Sequence, residues 1–150
     1  MVDYMFAYAT NIDQEEMQKH CPNAIFRGYA TLEGYALDFQ GYTGHAIATL
    51  KKDKKSSVNV AVWEMTPEDY YTIDNFEKFP YIYHREHAKV LLMGRKVKGS
   101  VYLLKNKLQS SMPSEEYLQA LRKSFDKAGW SHQTINDALK RMEEQKSDEV

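Results

Sequence analysis

The amino-acid sequence predicts an α+β domain, in which a mixed, mostly antiparallel sheet curls into a small barrel flanked by helices. Short runs with the apolar and aromatic composition of strands fill most of residues 4–104, interrupted by a short helix and one longer helical segment. From residue 113 onward the apolar residues recur at helical spacing. Because strands do not alternate with long helices, a parallel doubly wound fold is disfavoured. The 150 residues contain no evident linker and correspond to one domain, 1–150.

The predicted strands are short and follow one another closely. The basic run "LKKDKKSS" at 50–57 separates two of them and is predicted to be a solvated turn. The last two strands are joined at Gly94-Arg95, a two-residue hairpin turn with glycine first. The seven predicted strands cover residues 4–8, 24–32, 35–39, 45–50, 58–65, 87–93 and 96–104.

Four helices are marked by their capping residues. Asn11 or Asp13 caps residues 14–20, and Thr66 followed by Pro67 begins the segment that ends at Glu77. In the third helix Leu118, Leu121, Phe125 and Ala128 share one face, and Gly129 ends it. Ser131 caps the last helix, whose charged tail, about 144–150, is expected to fray.

Composition and charge exclude several function classes. A net charge of −1 gives no indication of a nucleic-acid partner. The single cysteine, Cys21, cannot form an internal disulfide, and no apolar run is long enough to span a bilayer, so we expect a cytoplasmic protein. Cys21 is interpreted as a packing residue, because no base motif accompanies it.

The sequence offers no metal site that we can identify. His84 and His87 are three residues apart, a spacing that points them to opposite faces of a strand. The five histidines provide no closed ligand set, so we expect no metal, and no phosphate-binding glycine loop is present.

Glu77 is the most informative polar residue. Tyr70, Ile73 and Glu77 share one face of the second predicted helix. Because this face is apolar and therefore buried, it carries the Glu77 carboxylate inward at the end of the helix. Desolvation raises the pKa of such a carboxyl and suits it to proton transfer. The alternative is a glutamate at a fraying end that faces water or pairs with Arg85.

The order of these segments resembles the gamma-glutamylcyclotransferase family. "FAYATNI" at 6–12 is similar to a strand running into Tyr-Gly-Ser-Asn-Leu, and "YYTIDNFEKFPYIYHR" at 70–85 to Leu-Asp-x-x-Glu followed by tyrosine. The closing segment 113–140 resembles the last helices of the animal enzymes, with Pro-Ser-x-x-Tyr at its start. The other similar segments are "MQKHCPNA" (17–24), "LEGYALDF" (32–39), "GHAIATL" (44–50) and "VNVAVWEMT" (58–66).

The resemblance implies an intramolecular reaction on a small gamma-glutamyl substrate that needs no cofactor, with 5-oxoproline as one product and an amine or amino acid as the other. It implies Glu77 as the catalytic proton carrier and residues 8–11 as the substrate-binding loop, namely Tyr8, Ala9, Thr10 and Asn11. Tyr83 and Tyr117 match aromatic positions of the family's pocket. The oligomeric state is left as monomer or homodimer.

Three residues depart from the family's pattern near these positions. Ala9 replaces the usual glycine, Thr10 replaces serine but keeps the hydroxyl, and Lys78 replaces the glycine that often follows the catalytic glutamate. A left-handed backbone at position 9 would strain alanine by about 1–2 kcal/mol. Two alternatives to an active enzyme therefore stay open. One is a binder of a small amino-acid-like ligand with weak or no turnover, and the other is an interaction domain that exposes the Met142 face of its last helix.

Overall fold

The computed structural model of the chain describes residues 3–148, and the side chains of residues 3–145. Its strands close into a barrel in the order β1-β3-β2-β4-β5, which confirms the predicted fold class. Neighbouring strands run antiparallel, except that β1 and β5 are parallel and pair at Met5 and Ser100. The strands are β1 (Asp3–Ala7), β2 (Ile25–Gln40), β3 (Ile47–Met65), β4 (Tyr83–Leu92) and β5 (Arg95–Leu104).

Strands β2 and β3 are longer than the sequence predicts. Each joins two predicted strands into one, so the predicted solvated turn at 50–57 is wrong and this run belongs to β3. The pairing shifts from Glu33–Ser57 to Tyr35–Lys52, which leaves 53–56 as a bulge. In this bulge the Lys55 N–H and the Ser56 hydroxyl donate to the Asp53 carboxylate. The polar composition of 50–57 therefore forms a bulge within a continuing strand, because pairing with β2 resumes on both sides of it.

The hairpin between β4 and β5 turns one residue earlier than predicted. Leu92 pairs with Arg95, so the two turn residues are Met93 and Gly94, with φ angles of 51° and 80°. Positive φ at both central residues is the geometry of a type I′ turn, which matches the twist of the flanking strands. Strand β4 also begins earlier, at Tyr83 instead of residue 87.

Helices α1 (Gln14–His20), α2 (Pro67–Phe76), α3 (Glu115–Ala128) and α4 (Gln133–Asp148) lie where the capping residues predict. Asp13 is the residue that caps α1, and Thr66 forms a reciprocal capping box with Asp69. Helix α4 is helical up to Asp148. Residues 149 and 150 lie outside the described part of the chain, and fraying over 144–150 stays a prediction.

Helix α4 packs its apolar face against the barrel. Ile135, Ala138 and Met142 are buried, with Met142 only 2% exposed, and Arg141 donates to the Leu37 carbonyl of β2 at 2.8 Å. The exposed Met142 face that an interaction domain would need is therefore absent. Within residues 3–148, no helix combines the length and apolar character needed to cross a bilayer.

Candidate active site

Glu77 follows directly after helix α2, at its C-cap. The capping box and the proline at its start fix the first turn of α2, and the buried Tyr70 and Ile73 fix its rotation against the barrel. The predicted inward face is confirmed, because Glu77 is only 9% exposed. Its Oε1 accepts a hydrogen bond from the Thr10 hydroxyl at 3.0 Å. Burial raises the pKa of the Glu77 carboxyl above its ordinary value, and the bond from Thr10 opposes this rise.

Glu77 does not form the surface ion pair with Arg85 that was its alternative role. Arg85 lies 3.5 Å from Asp74 instead, one helical turn earlier in α2, and its guanidinium packs over the rings of Tyr70 and Phe79. Glu77 is thus the one charged side chain among the described residues that line its cavity. A buried carboxylate without a cation favours the approach of a positively charged ligand group.

Residues 8–11 leave strand β1 and pass over Glu77. The Asn11 carbonyl accepts from the Trp63 indole N–H at 2.9 Å, which anchors the far end of this segment to β3. Among the described non-glycine residues, positive φ occurs at Asn11, Lys78 and Met93. Ala9 therefore has ordinary backbone geometry, and the left-handed strain considered for it lies instead at Lys78, whose φ is 53°.

Two tyrosines hold opposite sides of one peptide segment beside Glu77. The Tyr83 hydroxyl donates to the Ala48 carbonyl at 3.0 Å, and the Ala48 N–H donates to the Tyr117 hydroxyl at 2.9 Å. The Tyr8 hydroxyl donates to the Tyr102 carbonyl of β5. Burial raises the pKa of Tyr8, Tyr83 and Tyr117, and the charge of Glu77 contributes to each rise, so all three phenols stay protonated.

The tyrosines differ in whether their protons are engaged. Tyr8, Tyr83 and Tyr102 donate to protein acceptors, the last to the Asp74 carboxylate. Tyr117 accepts from Ala48, and among the hydrogen bonds of the described residues it makes none as a donor. Tyr117 is therefore the phenol in this cluster with a proton available to a ligand.

The structure brings all seven predicted site residues to one cavity, the inner cavity. Its void is about 360 Å³ including the mouth, but the part wide enough for a water-sized group is about 20 Å³. That space holds about one water molecule. The inner cavity is lined by Tyr8, Ala9, Thr10, Asn11, Glu77, Tyr83 and Tyr117, together with Met5, Phe6, Ala7, Ala48 and Tyr102.

Sequence reasoning missed Ala48 and Tyr102 as cavity residues. Tyr102 lies among the apolar residues of β5, and only the barrel's closure decides which of them face the inner cavity. Cys21 is buried beneath α2, with its pKa raised to about 11 by burial, so it is a packing residue as interpreted.

A second, wider depression adjoins the inner cavity and shares its loop 9–11 and Tyr117. We call it the outer groove. It measures about 220 Å³. Its other boundaries are Asp13, Glu16 and His20 of the α1 region, Phe76 of α2, and Ala120, Leu121 and Ser124 of α3.

Comparison with protein families gives one match that covers most of the chain. The model of the family "Gamma-glutamyl cyclotransferase, AIG2-like" matches residues 5–119. The chain belongs to this family. None of the curated proteins compared with the chain matches it.

Solved structures agree with this fold at low sequence identity. A gamma-glutamyl cyclotransferase superposes with a TM-score of 0.79 at 24% identity, over 93% of this chain and 87% of that one. An uncharacterised protein from Homo sapiens gives 0.78 at 24% identity, over 92% and 86%. YkqA from Bacillus subtilis gives 0.74 at 19% identity, over 95% of this chain and 54% of that one.

Proposed function

We propose that this protein is a gamma-glutamyl cyclotransferase, which converts the gamma-glutamyl group of a small gamma-glutamyl amine or amino acid to 5-oxoproline and releases the amine. The observation that carries the proposal is Glu77: a buried carboxylate without a cation, hydrogen-bonded to Thr10 in the loop that the family's signature predicts. Membership of the family supports the reaction class. The cytoplasmic location and the monomeric or homodimeric state stay predictions from sequence.

The main chemical requirement of the proposed reaction is the transfer of protons from the attacking nitrogen to the leaving nitrogen. The substrate's α-nitrogen attacks its own γ-carbonyl carbon, so a carbon–nitrogen bond forms while the bond to the leaving nitrogen breaks. Glu77 takes one proton from the α-ammonium so that the nitrogen can attack, and the nitrogen loses a second proton as the ring closes. The leaving nitrogen receives one of these protons from Glu77 as its bond breaks and the other as it departs as an ammonium, so the carboxylate ends as it began. Attack within one molecule needs the substrate folded, and the walls around Glu77 would hold it in that shape once the inner cavity has widened to admit it.

The surrounding groups suit the charges that develop. The Glu77 carboxylate attracts the substrate's α-ammonium, which it must also deprotonate. The carbonyl oxygen becomes negative during attack and needs a preorganised donor. Tyr117 is our choice for that donor, because its proton is free of protein acceptors among the described hydrogen bonds. Thr10 is placed to orient the Glu77 carboxylate.

The decisive experiment measures 5-oxoproline release from gamma-glutamyl amines, gamma-glutamyl amino acids and glutathione, by the wild-type protein and by Glu77→Gln. We expect release by the wild type and its loss in the variant, with the same circular dichroism spectrum for both. Equal release by both proteins would remove Glu77 from the mechanism.

A narrow cavity also favours a second candidate function, binding of a small amino-acid-like ligand without turnover. Ligand that binds only the native state raises the midpoint of thermal unfolding. Stabilisation by glutamate-like compounds with no 5-oxoproline from any substrate would favour this second candidate.

A matched pair of tyrosine variants tests the role of Tyr117. Tyr83→Phe and Tyr117→Phe each remove one hydrogen bond to Ala48, so each is expected to lower the free energy of unfolding by about 1 kcal/mol. Only Tyr117→Phe also removes the proposed donor, so it should lower kcat by about 10²-fold beyond the effect of Tyr83→Phe. Equal losses of kcat would make both tyrosines positioning residues.

A further inference from the structure

The leaving half of the substrate has to lie on the side of the inner cavity that opens outward. If Glu77 returns a proton to the leaving nitrogen, that nitrogen lies next to Glu77 and the rest of the leaving group extends past the mouth. The outer groove begins there, because loop 9–11 and Tyr117 bound both spaces. This inference rests on the proposed function and concerns which amines the protein releases from its substrates.

The floor and walls of the outer groove are mainly apolar. Phe76 directly precedes Glu77 and is 49% exposed, so it presents an apolar aromatic surface beside the cavity mouth. The His20 ring packs against it, with ring centroids 4.8 Å apart. On the opposite wall Tyr117, Ala120, Leu121 and Ser124 follow one face of α3 at helical spacing.

The charged groups at the rim of the outer groove are already paired. Asp13 contacts Lys127 at 2.8 Å and caps α1, and Glu16 contacts Lys19 at 3.0 Å. No lysine or arginine is among the described residues that bound the groove. A carboxylate on the leaving group would approach two acidic side chains whose lysine partners are already engaged, so none of the described rim residues offers it an unengaged lysine or arginine. A cationic leaving group would have to compete with existing ion pairs.

We infer that the outer groove is the leaving-amine subsite and that it selects apolar, uncharged amines. The aromatic or aliphatic part of the amine lies between Phe76 and the Ala120 face of α3. The free amine departs by the same route, after the bond between its nitrogen and the γ-carbonyl carbon has broken and Glu77 has returned the proton.

Four gamma-glutamyl compounds separate the contributions of size and charge. The methylamide has a minimal leaving group, and the 2-phenylethylamide adds an apolar one. Gamma-glutamylphenylalanine is the 2-phenylethylamide with one added carboxylate, and the 5-aminopentylamide carries a distal ammonium. We expect kcat/KM for the 2-phenylethylamide to exceed that of each of the other three by at least about 10-fold, since one methylene in an apolar pocket already contributes about 10–200-fold.

Variants on the two walls test whether this preference comes from the groove. In Phe76→Ala and in Ala120→Leu the ratio of kcat/KM for the 2-phenylethylamide to that for the methylamide should fall about 10-fold. The first variant removes the apolar wall and the second fills the space. Tyr71→Ala on α2 and Gln119→Leu on α3 are matched controls at exposed positions outside the groove, and they should leave the ratio unchanged. Because the two kcat/KM values in this ratio are measured with the same variant, any effect of the substitution on Glu77 that is common to both substrates cancels.

The outcomes distinguish this inference from the proposed function. If no compound yields 5-oxoproline, the proposed function is wrong and the inference is overturned with it. If the methylamide is turned over and the 2-phenylethylamide is no better, the inference alone is overturned. A preference for the 5-aminopentylamide or for gamma-glutamylphenylalanine overturns it too, since a charged leaving group would then be the favoured one.

Discussion

Asp74 and Glu77 are two carboxylates one helical turn apart at the end of α2, with opposite surroundings. Asp74 faces a cation and a donor: Arg85 lies 3.5 Å away and the Tyr102 hydroxyl donates to it. Glu77 faces into the inner cavity, where Thr10 is its one hydrogen-bond partner among the described residues. The comparison shows how one short segment provides a carboxylate that stabilises the fold and another that is available for chemistry.

The largest expected difference is in turnover. Glu77→Gln should lower kcat by about 10²–10⁴-fold, the usual contribution of a positioned acid–base group. Asp74→Asn should lower it less than about threefold, because Asp74 is not among the residues that line the inner cavity. Steady-state release of 5-oxoproline measures both. A comparable loss in Asp74→Asn would show that the two carboxylates act together.

The second difference is in stability. Asp74→Ala removes the acceptor of Tyr102 and the partner of Arg85, so the free energy of unfolding should fall by about 1–3 kcal/mol. Glu77→Gln should not lower it at pH 7, because the neutral amide avoids burying a charge that no cation compensates. Urea denaturation followed by circular dichroism measures both. A loss in Glu77→Gln as large as that in Asp74→Ala would mean that Glu77 stabilises the fold.

The third difference is in pH dependence. The pKa of Glu77 in the folded protein is raised above its ordinary value of 4.5, mainly by burial. The folded state therefore holds the proton more tightly than the unfolded state, and the contribution of Glu77 to stability falls as pH rises from about 4.5 through the folded pKa.

The pH dependence of wild type and Glu77→Gln should therefore differ. The variant should gain stability relative to wild type as pH rises from about 4.5 through the raised folded pKa, and the two should converge at lower pH. Wild-type kcat/KM should rise as the Glu77 carboxyl loses its proton. Urea midpoints at several pH values, with Asp74→Asn as a parallel control, measure the first effect, and parallel stability curves for wild type and Glu77→Gln would contradict it.

The smallest expected effects concern the backbone at two residues near Glu77, Lys78 in the chain and Ala9 in the loop 8–11. Lys78 has a φ of 53°, so Lys78→Gly should raise the free energy of unfolding by about 0.5–1 kcal/mol through relief of left-handed strain. Ala9→Gly has no such strain to relieve and should lower it by about 0.4–1 kcal/mol through added freedom of the unfolded chain. Changes of the same sign in these two variants would contradict this assignment of the strain.

Much of this arrangement could be predicted from local sequence. The cap of α2 and the spacing of Tyr70, Ile73 and Glu77 are sufficient to bring the carboxylate inward, because a helix fixes which residues share a face. The family resemblance added loop 8–11, Tyr83 and Tyr117, and all of these residues line the inner cavity with Glu77.

What could not be predicted depends on pairing between distant segments. The charged run 50–57 has a turn-like composition, and only its pairing with β2 on both sides makes it a bulged strand. The sequence left open a left-handed backbone at Ala9, whereas the left-handed residues beside the site are Asn11 and Lys78, since φ depends on how loop 8–11 and the end of α2 turn and not on residue type alone. Tyr102 and Ala48 line the cavity because the barrel closes, and the sequence of a single strand does not indicate how the strands close into a barrel.

The narrowness of the inner cavity has a kinetic meaning. The space wide enough for a water-sized group is about 20 Å³, less than a gamma-glutamyl group needs, so we expect binding to involve a wider conformation. The apparent dissociation constant is then the intrinsic one divided by the fraction of wide molecules, and a population of 1% weakens apparent affinity 100-fold. Association is slowed accordingly, below the usual rates for a preformed pocket. A substitution that widens the mouth would therefore speed capture of the substrate while leaving the proton transfers at Glu77 unaltered.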